Sequence, residues 1–120
     1  MNILVIDDRR MFDRATEPVA RTSEEGLHLL ERFRGKRVDE LWLDHDLGGK
    51  DTIKPIVNML EEDAFNGRPW NIGRIIFHSS NIEATKPMIL GLSKWYYVGR
   101  GEGPVDDPSL EPVTDYPSGG

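Results

Sequence analysis

Cysteine is absent from the 120 residues, which excludes disulfides, thiolate zinc sites and cysteine nucleophiles. The same absence fits a reducing compartment. No apolar run approaches the roughly 20 residues that a membrane-crossing helix needs. The start of the chain also lacks the basic-then-apolar pattern of a secretory signal, because its first short apolar run ends directly in Asp7 and Asp8. A soluble, cytoplasmic protein without membrane contact is the expectation. No internal repeat is visible.

An excess of positive charge is missing as well. The formal charge is −6, but it is unevenly spread. Residues 101–120 hold Glu102, Asp106, Asp107, Glu111 and Asp115 and no base, so the 15 basic residues all face the remaining acids in residues 1–100. The body is therefore near neutral and offers no electrostatic footprint for duplex nucleic acid. A small phosphorylated ligand needs only a local pocket, so it stays compatible with this charge. The length suits one domain. We place it at residues 1–100, followed by an acidic Gly/Pro-rich tail at 101–120. Having few apolar residues, that tail is expected to be extended or disordered, although Val105, Leu110 or Tyr116 could pack on the body.

Residues 2–6 are mostly apolar and β-branched, as in a strand buried on both faces of a parallel sheet. Residues 9–18 read as a loop with at most one helical turn, and 19–21 as a short strand. Thr22 or Ser23 can cap a helix with Glu24 and Glu25 in its first turn and Leu27, Leu30 and Phe33 on one stripe, ended by Gly35. Leu41, Trp42 and Leu43 predict the next strand. Asp51 or Thr52 can cap a second helix in which Pro55 falls near the first turn. A third strand spans 72–77, a helix 82–92, and a last strand 95–98. Strands alternating with helices predict an α/β, mainly parallel sheet covered on both faces.

Ligands of such sheets bind beyond the carboxyl ends of the strands. Three strands here end in polar groups: Asp7-Asp8, Asp44-His45-Asp46 and His78-Ser79-Ser80-Asn81. Parallel strands would bring all three clusters to one edge. Three close carboxylates repel each other, and a hard divalent cation such as Mg²⁺ relieves that repulsion. The plainer reading is that these acids cap helices or pair with Arg9, Arg10 or Arg21. His45 and His78 are candidates for general acid and base, since imidazole titrates near neutrality. Strand alternation should turn His45 away from Asp44 unless the strand ends there, and His28 is incidental. Ser79, Ser80 and Asn81 at a helix start could cradle phosphate or simply cap the helix. Arg10, Arg21 and Arg100 are candidate phosphate clamps. Neither Gly48-Gly49 nor the glycines at 99, 101 and 103 form a dinucleotide fingerprint or a Walker loop.

Asp7-Asp8 after the first strand, Asp44 ending the middle one and Ser79 after the fourth resemble the response-regulator receiver family. The resemblance implies a doubly wound, flavodoxin-like sheet of five strands in the order 2-1-3-4-5. The short 9–18 segment implies a shortened first helix, and the tail implies that the last helix is missing. In that family the acidic pair and the middle aspartate hold Mg²⁺, and the middle aspartate accepts a phosphoryl group. The family's lysine after the fifth strand is replaced here by Val98-Gly99-Arg100. The phrases Ile6-Asp7-Asp8-Arg9-Arg10, Arg21-Thr22, Leu43-Asp44-His45-Asp46-Leu47-Gly48 and His78-Ser79-Ser80-Asn81 are more similar still to the cyclic-phosphate processing receiver domains. They span residues 3–81.

The resemblance implies a metal-dependent phosphoesterase that opens a cyclic phosphate, either a cyclic nucleotide or a 2′,3′-cyclic end. Asp7, Asp8, Asp44 and Asp46 would serve the cation. His45 and His78 would exchange protons, with Asp44 beside them. Ser79, Ser80, Asn81, Arg10 and Arg100 would bind phosphate. Two other expectations compete: a stand-alone signalling receiver phosphorylated on Asp44, and a module that binds a nucleotide or a partner protein without chemistry.

Overall fold

The computed structural model describes residues 2–8, 19–79 and 81–101, together with the backbone of 113–115. Among the described residues, six strands and three helices follow in chain order: β1 (Ile3–Ile6), β2 (Val19–Ala20), α1 (Ser23–Arg32), β3 (Val38–Leu43), α2 (Lys54–Phe65), β4 (Ile72–Phe77), α3 (Ile82–Leu92), β5 (Val98–Arg100) and β6 (Val113–Asp115). They form one sheet in the order β2-β1-β3-β4-β5-β6. The first five strands are parallel, in the expected receiver order, and β6 lies antiparallel on β5. The sixth strand comes from the Pro-rich tail, where no apolar run announced it. Residues 9–18, which hold the expected shortened first helix and Arg10, lie outside the described residues, as does Ser80. Among the described residues no helix is long and apolar enough to cross a membrane.

Alternation along the strands divides the core in two. Leu4, Ile6, Leu41, Leu43, Ile75, Phe77 and Val98 face α1, α2 and α3 in one large cluster. Ile3, Val5, Trp42 and Ile76 form a smaller cluster on the opposite face. All three helices lie on one face because each is a right-handed crossover stepping in the same direction, from β2 to β3, β3 to β4 and β4 to β5. The step from β1 to β2 runs the other way. The switch point therefore falls between β1 and β3, where the rule for open sheets places a ligand.

Local chemistry explains most boundaries. Thr22 caps α1 by accepting the Glu25 amide at 3.0 Å, and Glu25 Oε1 accepts the Arg21 amide at 2.9 Å. Gly26 lets α1 approach closely, since a Cβ there would meet Ile6 Cδ1 at 2.9 Å and Ile56 Cδ1 at 3.1 Å. Pro55 stands in the first turn of α2 as expected. Neither Asp51 nor Thr52 is the N-cap of α2, however. That position is Ile53, which makes no side-chain cap bond. Asp51 instead accepts from Ser23 at the start of α1, for a reason given below.

Two strand boundaries also differ from expectation. β3 begins at Val38 rather than Leu41, because Asp39 and Glu40 hide a strand whose fully buried Val38 pairs with Ile72. The backbone amide of Asn2, then the Arg37 guanidinium, hold the Asp39 carboxyl below the usual carboxylate range. β5 begins at Val98 rather than residue 95. The Trp95 and Tyr96 amides both bond back to Leu92 O, which closes α3, and the Tyr96 hydroxyl accepts the Trp70 amide at 2.9 Å. Aromatic residues that resemble a strand are thus spent on a turn, of which Tyr96 is the buried member.

Candidate functional site

The register of the sheet lines up the carboxyl ends of five strands. Ile6 pairs with Ala20 on one side and Leu43 on the other, Leu43 with Phe77, and Phe77 with Arg100. The next residues continue the ladder. Asp7 N donates to Ala20 O, Asp44 N to Ile6 O, His78 N to Leu43 O and Gly101 N to Phe77 O, at 2.7–3.1 Å. Arg21, Asp7, Asp44, His78 and Gly101 thus form one row along the rim.

Asp7 and Asp44 are 1% and 4% exposed. With the half-buried Asp8 they each offer one carboxylate oxygen, and these oxygens all lie within 4.8 Å of one another. Two carboxylates withdrawn from water and crowded by a third are electrostatically costly unless something positive joins them. Three oxygen donors this close suit a hard divalent cation. The turn after β3 shapes the mouth of this group. Gly48 has φ of +92°, a backbone conformation that side chains rarely adopt, so glycine serves the turn there, with Asp8 Oδ2 3.5 Å from where its Cβ would sit.

His78 joins the acids from β4. Its Nε2 lies 3.9 Å from Asp7 Oδ2, and its Nδ1 lies 3.3 Å from the Gly101 carbonyl oxygen. A carbonyl can only accept, so this contact favours the tautomer with the proton on Nδ1 and leaves Nε2 facing the acids. Gly101 has little freedom of its own. A Cβ there would meet Ile76 Cγ2 at 2.9 Å and the Trp42 ring at 3.0 Å. The backbone carbonyl that orients the imidazole is therefore pressed into place by the smaller core cluster.

His45 is oriented differently. Its side chain is only 13% exposed and its Nδ1 lies 2.9 Å from Asp46 Oδ1, an exposed carboxylate. Asp46 is outside the trio of close oxygens, and its backbone forms an isolated bridge with Thr52. The phosphate candidates separate as well. Ser79 Oγ accepts the Asn81 amide at 3.1 Å, and Asn81 Oδ1 caps α3 by accepting the Ala84 amide at 3.2 Å. Arg100 turns away from the rim row, donating to Thr85 Oγ1 at 2.7 Å and towards Ile82 O at 3.4 Å. Arg10 and Ser80 lie outside the described residues.

Two contributors escape a sequence reading. One is the Gly101 carbonyl, whose only signal was a weakly patterned glycine run. The other is Asp51, whose carboxylate accepts both the amide and the hydroxyl of Ser23, at 2.8 and 2.6 Å. The Ser23 hydroxyl, followed by its amide, holds the Asp51 carboxyl below the usual carboxylate range. Because Leu47 N donates to Asp51 O and Asp51 N to Gly48 O, this bond ties the turn over Asp8 to the start of α1.

Comparison with known proteins adds one finding. The family model of the cyclic-phosphate processing receiver domain matches residues 1–94. No curated protein and no solved structure matches the chain.

Proposed function

The chain belongs to the cyclic-phosphate processing receiver domain family, and from that premise we propose that it is a metal-dependent phosphoesterase opening a cyclic phosphate, either in a cyclic nucleotide or at a 2′,3′-cyclic end. One observation supports this most: the Asp7, Asp8 and Asp44 oxygens cluster within 4.8 Å, with the His78 imidazole 3.9 Å from Asp7. Asp7, Asp8 and Asp44 hold Mg²⁺ or another divalent cation. The cation, when bound, supplies positive charge against the phosphate and polarises the attacked centre.

The remaining roles belong to this chain's own groups. His78, with its Nε2 turned to the acids, takes the proton of the attacking water or returns one to the leaving oxygen. His45 supplies the second imidazole, held by Asp46. The Ser79 hydroxyl and the Asn81 amide group meet the phosphate oxygens from the start of α3, and Asn81 does so while capping that helix. A phosphoacceptor role for Asp44 fits less well. The fifth strand brings no free cation to the rim, because Arg100 is engaged by α3 and Gly101 occupies the row.

The test is incubation of the full chain with a panel of cyclic nucleotides and oligonucleotides carrying 2′,3′-cyclic ends, with Mg²⁺ and with chelator. Mg²⁺-dependent ring opening of at least one class is expected. No turnover across the panel, or stable phosphorylation of Asp44 by acetyl phosphate, would remove the proposal.

A further inference from the structure

Arg21 is the member of the rim row that the proposed chemistry leaves unused. It stands one residue beyond the Ile6–Ala20 pair, level with Asp7 on the neighbouring strand. Its Nη1 is buried and has no hydrogen-bond partner among the described residues. A guanidinium does not shed its proton, so it cannot relieve burial by becoming neutral. A buried charged donor without an acceptor is among the costlier defects a fold can carry. The backbone beneath it is nonetheless firmly placed. The Arg21 amide is bonded to Glu25 Oε1, and Ser23, two residues on, is held by Asp51.

A fixed stalk carrying a half-buried guanidinium, one nitrogen of which is buried without a partner among the described residues, suggests that the missing acceptor comes with the ligand. With a divalent cation on the three carboxylates, their charge is engaged, and the guanidinium is left to an anion. We infer that Arg21 donates to a non-bridging phosphate oxygen of the bound ligand. It reaches that oxygen from the β2 side of the rim, across the acids from Ser79 and Asn81. The phosphate is then gripped from both flanks of the switch point. The inference rests on reading the rim as a phosphate site, but not on any reaction occurring there.

Orthophosphate is the probe, titrated into the full chain by calorimetry with and without Mg²⁺, for the wild type, Arg21→Met and Arg21→Lys. Loss of a charge-assisted bond predicts phosphate affinity about tenfold or more weaker in Arg21→Met, with Mg²⁺ affinity undiminished. Arg21→Lys keeps the charge and loses the fork, so it falls between the two. It also decides the matter should Arg21→Met not fold. Unchanged phosphate affinity in the variants overturns the inference. So does a wild type that takes up no phosphate, or a parallel loss of Mg²⁺ and phosphate, which marks a structural role. A wild type that binds orthophosphate through Arg21 yet opens no cyclic phosphate sinks the proposed function and leaves this inference standing.

Discussion

At the scale of single residues, His78 and Gly101 work as a pair. The imidazole reaches the acids because a backbone carbonyl holds its other nitrogen, 3.3 Å away. His78→Gln keeps a side chain of similar reach but cannot shuttle a proton near neutral pH. If the proposed chemistry holds, kcat should fall by about 10²–10⁴-fold while the melting midpoint stays close to wild type. A rate unchanged in a single-turnover assay would remove His78 from proton transfer. Gly101→Ala touches no ligand directly. Its Cβ would collide with Ile76 and the Trp42 ring, and a ring yields less than the end of a flexible chain. We expect the carbonyl to shift and the rate to drop, with Mg²⁺ affinity little altered. A wild-type pH–rate profile in Gly101→Ala would show that His78 needs no such support.

Among the elements, the bond between Asp51 and Ser23 is the clearest long-range contact that the sequence conceals. The segment Asp51-Thr52 reads as a helix start because acids and hydroxyls do favour such positions, and one does cap a helix, though not the nearer one. Local pattern names the residue type and leaves the partner to tertiary packing. The same limit appears in β3, whose first half is disguised by Asp39 and Glu40, and in the aromatic stretch at 95–97, which serves a turn. Where the signal is local it is readable: α3 spans 82–92 as expected. The convergence of Asp7, Asp8, Asp44 and His78 needs only parallel strands of matched register, so it too is legible. The partners that His45 and Arg100 take, Asp46 and Thr85, were not legible, because the direction of a side chain depends on which neighbour takes it.

Removing Asp51 carries a signature in pH. Its carboxyl is held below the ordinary aspartate range by Ser23, so the folded state favours the ionised form. Its contribution to stability is therefore complete above the unfolded-state pKa of about 3.9. That contribution fades as pH falls through the lower, folded-state value. Asp51→Ala should cost about 1 kcal/mol near neutrality, measured by urea unfolding, and the gap from wild type should close in acid. A gap independent of pH would mean that the charge is irrelevant to the bond.

At the scale of the whole sheet, the described helices α1, α2 and α3 cover one face, and Ile3, Val5, Trp42 and Ile76, with Val19 packed against them, form the smaller cluster on the other. The family match ends at residue 94, before β5 and Gly101, so part of the rim is built by chain beyond the matched stretch. The crowded acids should make stability depend on divalent cation. At a hundredfold excess over Kd, binding to the folded state alone adds about 2.7 kcal/mol, seen as a higher urea midpoint with unchanged slope. Asp44→Asn should abolish most of that gain. A variant that keeps the full Mg²⁺ gain would place the cation elsewhere.

The tie between Asp51 and Ser23 makes the front of α1 a listening post for the rim. Whatever steadies Asp8 also steadies the Gly48 turn against it, and that turn is continuous with the carboxylate gripping the Ser23 amide. Deuterium uptake at Ser23 should therefore slow when Mg²⁺ and phosphate are added, although the residue touches neither. Equal uptake in the free and loaded protein would show that the turn and the acids move independently.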